Sequence, residues 1–139
     1  MKSNTKIIFL VVSSNSQKVG CICHHIQVHF NQGQSVLIVA PSAQAIEYLD
    51  DLLWKNPPDS FLPHVISRVP TEEKVVITSL HENLNHATIL MNLCPQMTPI
   101  AHQFDIVYEL YDETQPEKLE QSKHRQKLYA DMGYKTLLQ

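Results

Sequence analysis

Apolar residues recur along this chain with two different periods. Lys6 to Val12 (KIIFLVV) is an unbroken run rich in β-branched residues, the pattern of a strand buried on both faces, as parallel sheets require. Ser13, Ser14 and Asn15 then signal a turn. Val19, Ile22, Ile26 and Phe30 follow at spacings of three and four, which predicts an amphipathic helix from Ser16 to Gln32. Gly33 stands where such a helix takes a left-handed residue to stop. Ser35 to Ala40 (SVLIVA) predicts a second strand, and Ser42 can cap a second helix with Ile46, Leu49 and Leu53 on its apolar face. Pro57 and Pro58 end that helix by Asn56, because a residue before proline leaves the helical region and proline lacks the amide the ladder needs. Three more apolar runs read as strands: Lys74 to Thr78, Thr88 to Leu93 and Asp105 to Tyr111. A last helix is predicted from Pro116 to Met132, with Gly133 as its stop.

Strands alternating with helices imply right-handed crossovers. The expected fold class is therefore α/β, a Rossmann-like three-layer fold with a mainly parallel sheet flanked by helices. The 139 residues, 43% apolar and 18% charged, suit one domain spanning 1–139, with no repeat or linker. No apolar run approaches the ~20 residues of a membrane span, and the first residues lack a secretory cleavage pattern. Three cysteines make an odd count, and Cys21 and Cys23 lie too close on one predicted helix to pair. A reducing, cytoplasmic setting without membrane contact is expected. The net charge of −3 argues against a general polyanion-binding surface, so any basic site must be local.

Several chemistries are missing. A nucleotide-binding fold needs glycines after its first strand so that amides can approach phosphates, and here that loop reads SSNSQKVG. No serine sits in a G-x-S-x-G elbow and no cysteine has protease-like flanks, so no catalytic residue is expected. Asp50 and Asp51 read as a solvated helix face. Cys21, His25 and His29 recur every fourth residue along one helix flank, a spacing that can hold Zn²⁺ or Cu⁺. Structural zinc usually takes two separated ligand pairs, and no second pair is present. The expectation is no metal and no cofactor, with a polar helix flank as the plainer account.

Charge is uneven in one place. Lys118, Lys123, Arg125, Lys127 and Lys135 crowd the last helix and its flank, with His124 among them. Interleaved with Tyr129 and Tyr134, they could hold single-stranded nucleic acid, clamp an acidic peptide, or form an ordinary solvated face. Leu52 to His64 (LLWKNPPDSFLPH) concentrates the one tryptophan, three prolines and Phe61. It either folds back on the core or displays aromatics to a partner.

These stretches carry a resemblance. LDDLLWKNPPDSFLPH is similar to the L-D-x-x-L-W-x-x-x-P-x-S-F-x-P-H signature of the chi subunit family of bacterial DNA polymerase III, small accessory proteins of the clamp-loader assembly. QGQSVLIVAPS, ILMNL, FDIVYEL and the closing Arg125, Lys127, Tyr129, Gly133 and Tyr134 extend it from about Gly33 to Tyr134. CICHHIQVHF departs from the family's alanine- and acid-rich first helix, and Gln126 stands where an aromatic is common. The resemblance implies a non-catalytic adaptor that touches DNA only indirectly. One surface, with Trp54, Pro58 and Phe61, would bind the psi subunit. The other, with Lys123, Arg125, Lys127, Tyr129 and Tyr111, would bind the acidic, phenylalanine-ended C-terminal tail of single-stranded DNA-binding protein. The alternatives are a degenerate nucleotide-binding α/β domain and a Cys/His metal-binding protein.

Overall fold

The structure, a computed structural model, describes residues 4–55 and 62–139. Strands β1 (Lys6–Val12), β2 (Val36–Val39), β3 (Val65–Ile66), β4 (Val75–Thr78), β5 (Ile89–Asn92), β6 (Ile106–Asp112) and β7 (Lys135–Leu138) form one sheet in the order β3-β4-β2-β5-β6-β1-β7. Every pairing is parallel. The helices are α1 (Asn15–Asn31), α2 (Ala43–Lys55) and α3 (Pro116–Asp131), with a short 3₁₀ turn at Ala101–Gln103.

Strand alternation sorts the core into two layers. Ile8, Leu10, Ile38, Ile77 and Met91 face α1 and α2, where they meet Ile22, Ile26, Leu49 and Leu53. Ile7, Phe9, Leu37, Val76 and Val107 face the other way, against Tyr129 of α3 and Leu84, Ala101 and Phe104 of the connecting segments. β2, β4 and β5 are buried at every position, which is why their sequences run apolar without alternating. The expected three-layer α/β fold is thus present, with the sheet wholly rather than mainly parallel.

The helix stops work as their chemistry requires. Gly33 and Gly133 adopt φ values of +79° and +91°. Each lets two amides turn back onto the helix: Gly33 N to Phe30 O and Gln34 N to His29 O, then Gly133 N to Ala130 O and Tyr134 N to Tyr129 O. Ser42 Oγ accepts from Ala45 N at 3.1 Å, the expected cap. Two elements lie beyond the sequence reading. β3 has only two residues, and β7 follows a helix stop in a segment without periodicity, so both exist through pairing with β4 and β1.

Candidate functional site

Strand β6 carries a carboxylate into the core. Alternation points Val107, Glu109 and Tyr111 toward the α3 layer, and Glu109 is fully enclosed. Its Oε1 accepts from Arg125 Nε at 2.9 Å. Its Oε2 accepts from Asn92 Nδ2 at 2.6 Å and from the Tyr129 hydroxyl at 2.5 Å. Arg125 also donates to Pro95 O and Leu110 O at 3.0 and 2.9 Å. Tyr129 Oη accepts from Thr98 N at 2.9 Å. The network therefore ties β6, α3, the end of β5 and the segment after it.

Burial pushes the Glu109 carboxyl up to about 7, with Arg125, Tyr129 and Asn92 pulling against it. Burial, and then the Glu109 charge, raises the Tyr129 phenol well above its ordinary range. Ser122, Arg125 and Tyr129 form the inward stripe of α3, which explains why this helix has so few apolar residues at core spacing. Arg125, read from sequence as part of a basic face, is 6% exposed, and Tyr129, which the resemblance set among the tail-binding residues, is 0% exposed. Their polar groups point into the protein because Glu109 would otherwise be a buried, unpaired charge.

On the opposite side of α3, Lys123, His124 and Lys127 face solvent. Lys123 Nζ lies 3.7 Å from Glu120 and Lys127 Nζ 2.9 Å from Asp131, both pairs widely exposed. Such pairs are worth at most about 1 kcal/mol and give way readily to a partner. Tyr111 is partly buried beside the same layer.

Trp54, the penultimate residue of α2, is 51% exposed. One face of its indole covers the His64 ring, with centroids 4.2 Å apart. His64 is itself fixed, Nδ1 donating to Leu62 O at 2.8 Å and Nε2 lying 2.9 Å from Asp50 Oδ1. Asp50 therefore orients a histidine, while Asp51 pairs with Lys55 in solvent. Pro58 and Phe61 lie outside the described residues.

The Cys21, His25 and His29 flank is differently employed. His25 Nδ1 donates to Cys21 O at 2.8 Å, and His29 bridges Gln34 and the Tyr108 hydroxyl at 2.7 Å each. Burial lowers the affinity of His25 for a proton, and raises the Cys21 thiol. Among the described residues, no three His, Cys, Asp or Glu side chains gather as metal ligands. The loop after β1 closes on itself: Ser13 N donates to Gln17 Oε1 at 2.8 Å, and Gln17 N to Ser14 Oγ at 3.1 Å. These bonds are a capping arrangement rather than a phosphate cradle.

Sequence reasoning passed over Glu109 and Asn92. The available signal was a glutamate within FDIVYELY, a strand pattern buried on both faces, where a charge requires a partner.

The fold defines a doubly wound α/β protein whose loop after β1 is a helix cap and not a phosphate cradle. Residues 4–136 match the model of the family described as DNA polymerase III chi subunit, HolC, and the chain belongs to that family. It is similar to the DNA polymerase III subunit chi of Pseudomonas aeruginosa, 27% identical over 133 residues that cover 94% of this chain and 92% of that protein. The crystal structure of T4 UvsW matches in fold, with a TM-score of 0.63 over 97% of this chain at 9% identity. This chain spans 40% of that structure. No helix among the described residues is long and apolar enough to cross a membrane.

Proposed function

We propose that this chain is a non-catalytic, cytoplasmic adaptor of the polymerase assembly, joining the clamp loader, through psi, to the acidic C-terminal tail of single-stranded DNA-binding protein. The observation that carries the reading is the separation of its two candidate surfaces. α2, with Trp54 near its end, packs on β3 and β4 at one edge of the sheet, while α3 packs on β6 and β7 toward the other edge. The two helices also lie on opposite faces. Partners bound at both would not collide, which is what a bridge requires.

In this reading Lys123 and Lys127 meet the tail's aspartates and terminal carboxylate, and Tyr111 contributes to the same site. Arg125 and Tyr129 support the helix from beneath through Glu109. Trp54, with Pro58 and Phe61, forms the psi side. The tail contact is weak and salt-sensitive, and gains strength when several tails are presented together.

Titrating a tail peptide against the wild type and a Lys123→Ala/Lys127→Ala double variant tests the assignment. Removing two exposed cations is expected to weaken binding at least about fivefold at low salt, and the loss should shrink as salt rises. Equal affinity for both proteins, or no binding to either, would sink it.

A further inference from the structure

The carboxyl ends of β2, β5 and β6 open into a cleft of about 450 Å³ that the adaptor reading does not use. Clefts of this size, roughly 300–1,000 Å³, are typical of small-molecule sites, and doubly wound sheets place such sites beyond the carboxyl ends of their strands. Its floor is apolar, built from Ile22, Leu49, Leu93 and Leu110, with the Tyr48 ring, 59% exposed, at its rim.

Three cations and one carboxylate line it: Lys18, Lys118 and Arg125 against Asp112. Lys18 lies 2.6 Å from Asp112, whose carboxyl is held below its ordinary range by the Lys18 and Thr114 bonds in spite of burial. Arg125 Nε lies 2.9 Å from Glu109 Oε1 behind the wall and is matched by it once that carboxyl is ionised, above about pH 7. Lys118, half-buried, has no ion pair among the described residues and is left as one surplus positive charge. Arg125 and Asn92, both more than nine-tenths buried, are held in place along the wall by Glu109, so the polar part of the cleft is preorganised.

We infer that this cleft binds a small molecule with an apolar body and a single carboxylate, the body on the Leu49–Leu93–Leu110 floor and the carboxylate against Lys118. The site is separate from the Lys123 and Lys127 flank of α3.

Phenylacetate is the probe, with phenylacetamide as its neutral counterpart and phenyl phosphate as a dianionic one, followed by amide NMR shifts on the intact chain. Phenylacetate is expected to shift Leu93, Cys94, Ala45 and Ser122 saturably and to bind about fivefold more tightly than the amide. Lys118→Gln should remove that preference. Ala45→Trp, which fills the cleft, should abolish binding while leaving tail-peptide affinity unchanged. Equal binding of amide and acid, no saturable shift, tighter binding of phenyl phosphate, or shifts confined to Lys123 and Lys127 would each overturn the inference. Loss of tail binding in the Lys123→Ala/Lys127→Ala variant, with phenylacetate binding intact, keeps the two readings distinguishable.

Discussion

Glu109 shows what one side chain can demand of its surroundings. A carboxylate with no exposed surface must be paired or protonated, and Arg125, Tyr129 and Asn92 supply three donors within 2.9 Å. Arg125→Met should therefore cost up to about 3–5 kcal/mol in urea unfolding well above pH 7, where it leaves the charge buried without its cation, and less at lower pH, where Glu109 takes a proton. The Glu109→Gln/Arg125→Met double variant should lose less than the two single losses added, since each partner's removal is harmful mainly through the other. pH dependence follows from the same group. The folded carboxyl titrates near 7, against 4.5 ordinarily, so the folded state holds the proton more tightly. The stability it contributes is fully present below pH 4.5 and is lost as pH rises through about 7. Glu109→Gln should flatten the fall of stability across that window, read from urea midpoints at successive pH values. An unchanged slope would place the titrating group elsewhere.

At the scale of elements, the helix ends are set by local chemistry. Gly133 sits at φ +91°, where a side chain costs about 1–2 kcal/mol, whereas Gly20 lies inside α1 with nothing within 4 Å of an added Cβ. Gly133→Ala should lower the urea midpoint. Gly20→Ala should raise it, adding up to about 1 kcal/mol of stability, since alanine is the better helix former. Opposite signs for one substitution would identify Gly133 as a stop and Gly20 as ordinary helix. The elements read directly from periodicity, α1, α2, α3 and the buried strands, fall within a residue or two of expectation. β3 and β7 do not follow from any local pattern. Two residues carry no period, and Lys135–Leu138 becomes a strand only because β1 offers it a free edge.

For the whole molecule, the sheet order separates what the chain order keeps near. Trp54 and His64, ten positions apart, meet as a tilted ring pair beside β3, while α3 lies on the opposite face toward β7. Trp54 and His64, the two ends of the Trp-to-His signature, thus mark one edge of the sheet. Between the two layers, the cleft at the strand ends gathers side chains from all three helices. No stretch of sequence contains it.

The sequence by itself determined the class of fold, the helix boundaries, the family signature and the local excess of positive charge, because each depends on neighbours within a few positions. Tertiary structure decided which side of α3 is surface. The sequence placed Arg125 on a basic face with Lys123 and Lys127, and helical geometry sends it in a different direction from the two lysines. A buried Glu109, sixteen residues before Arg125 and on another element, draws Arg125 and Tyr129 inward and leaves the lysines outside. That choice rests on the cost of an unpaired buried charge, which only the packed chain imposes.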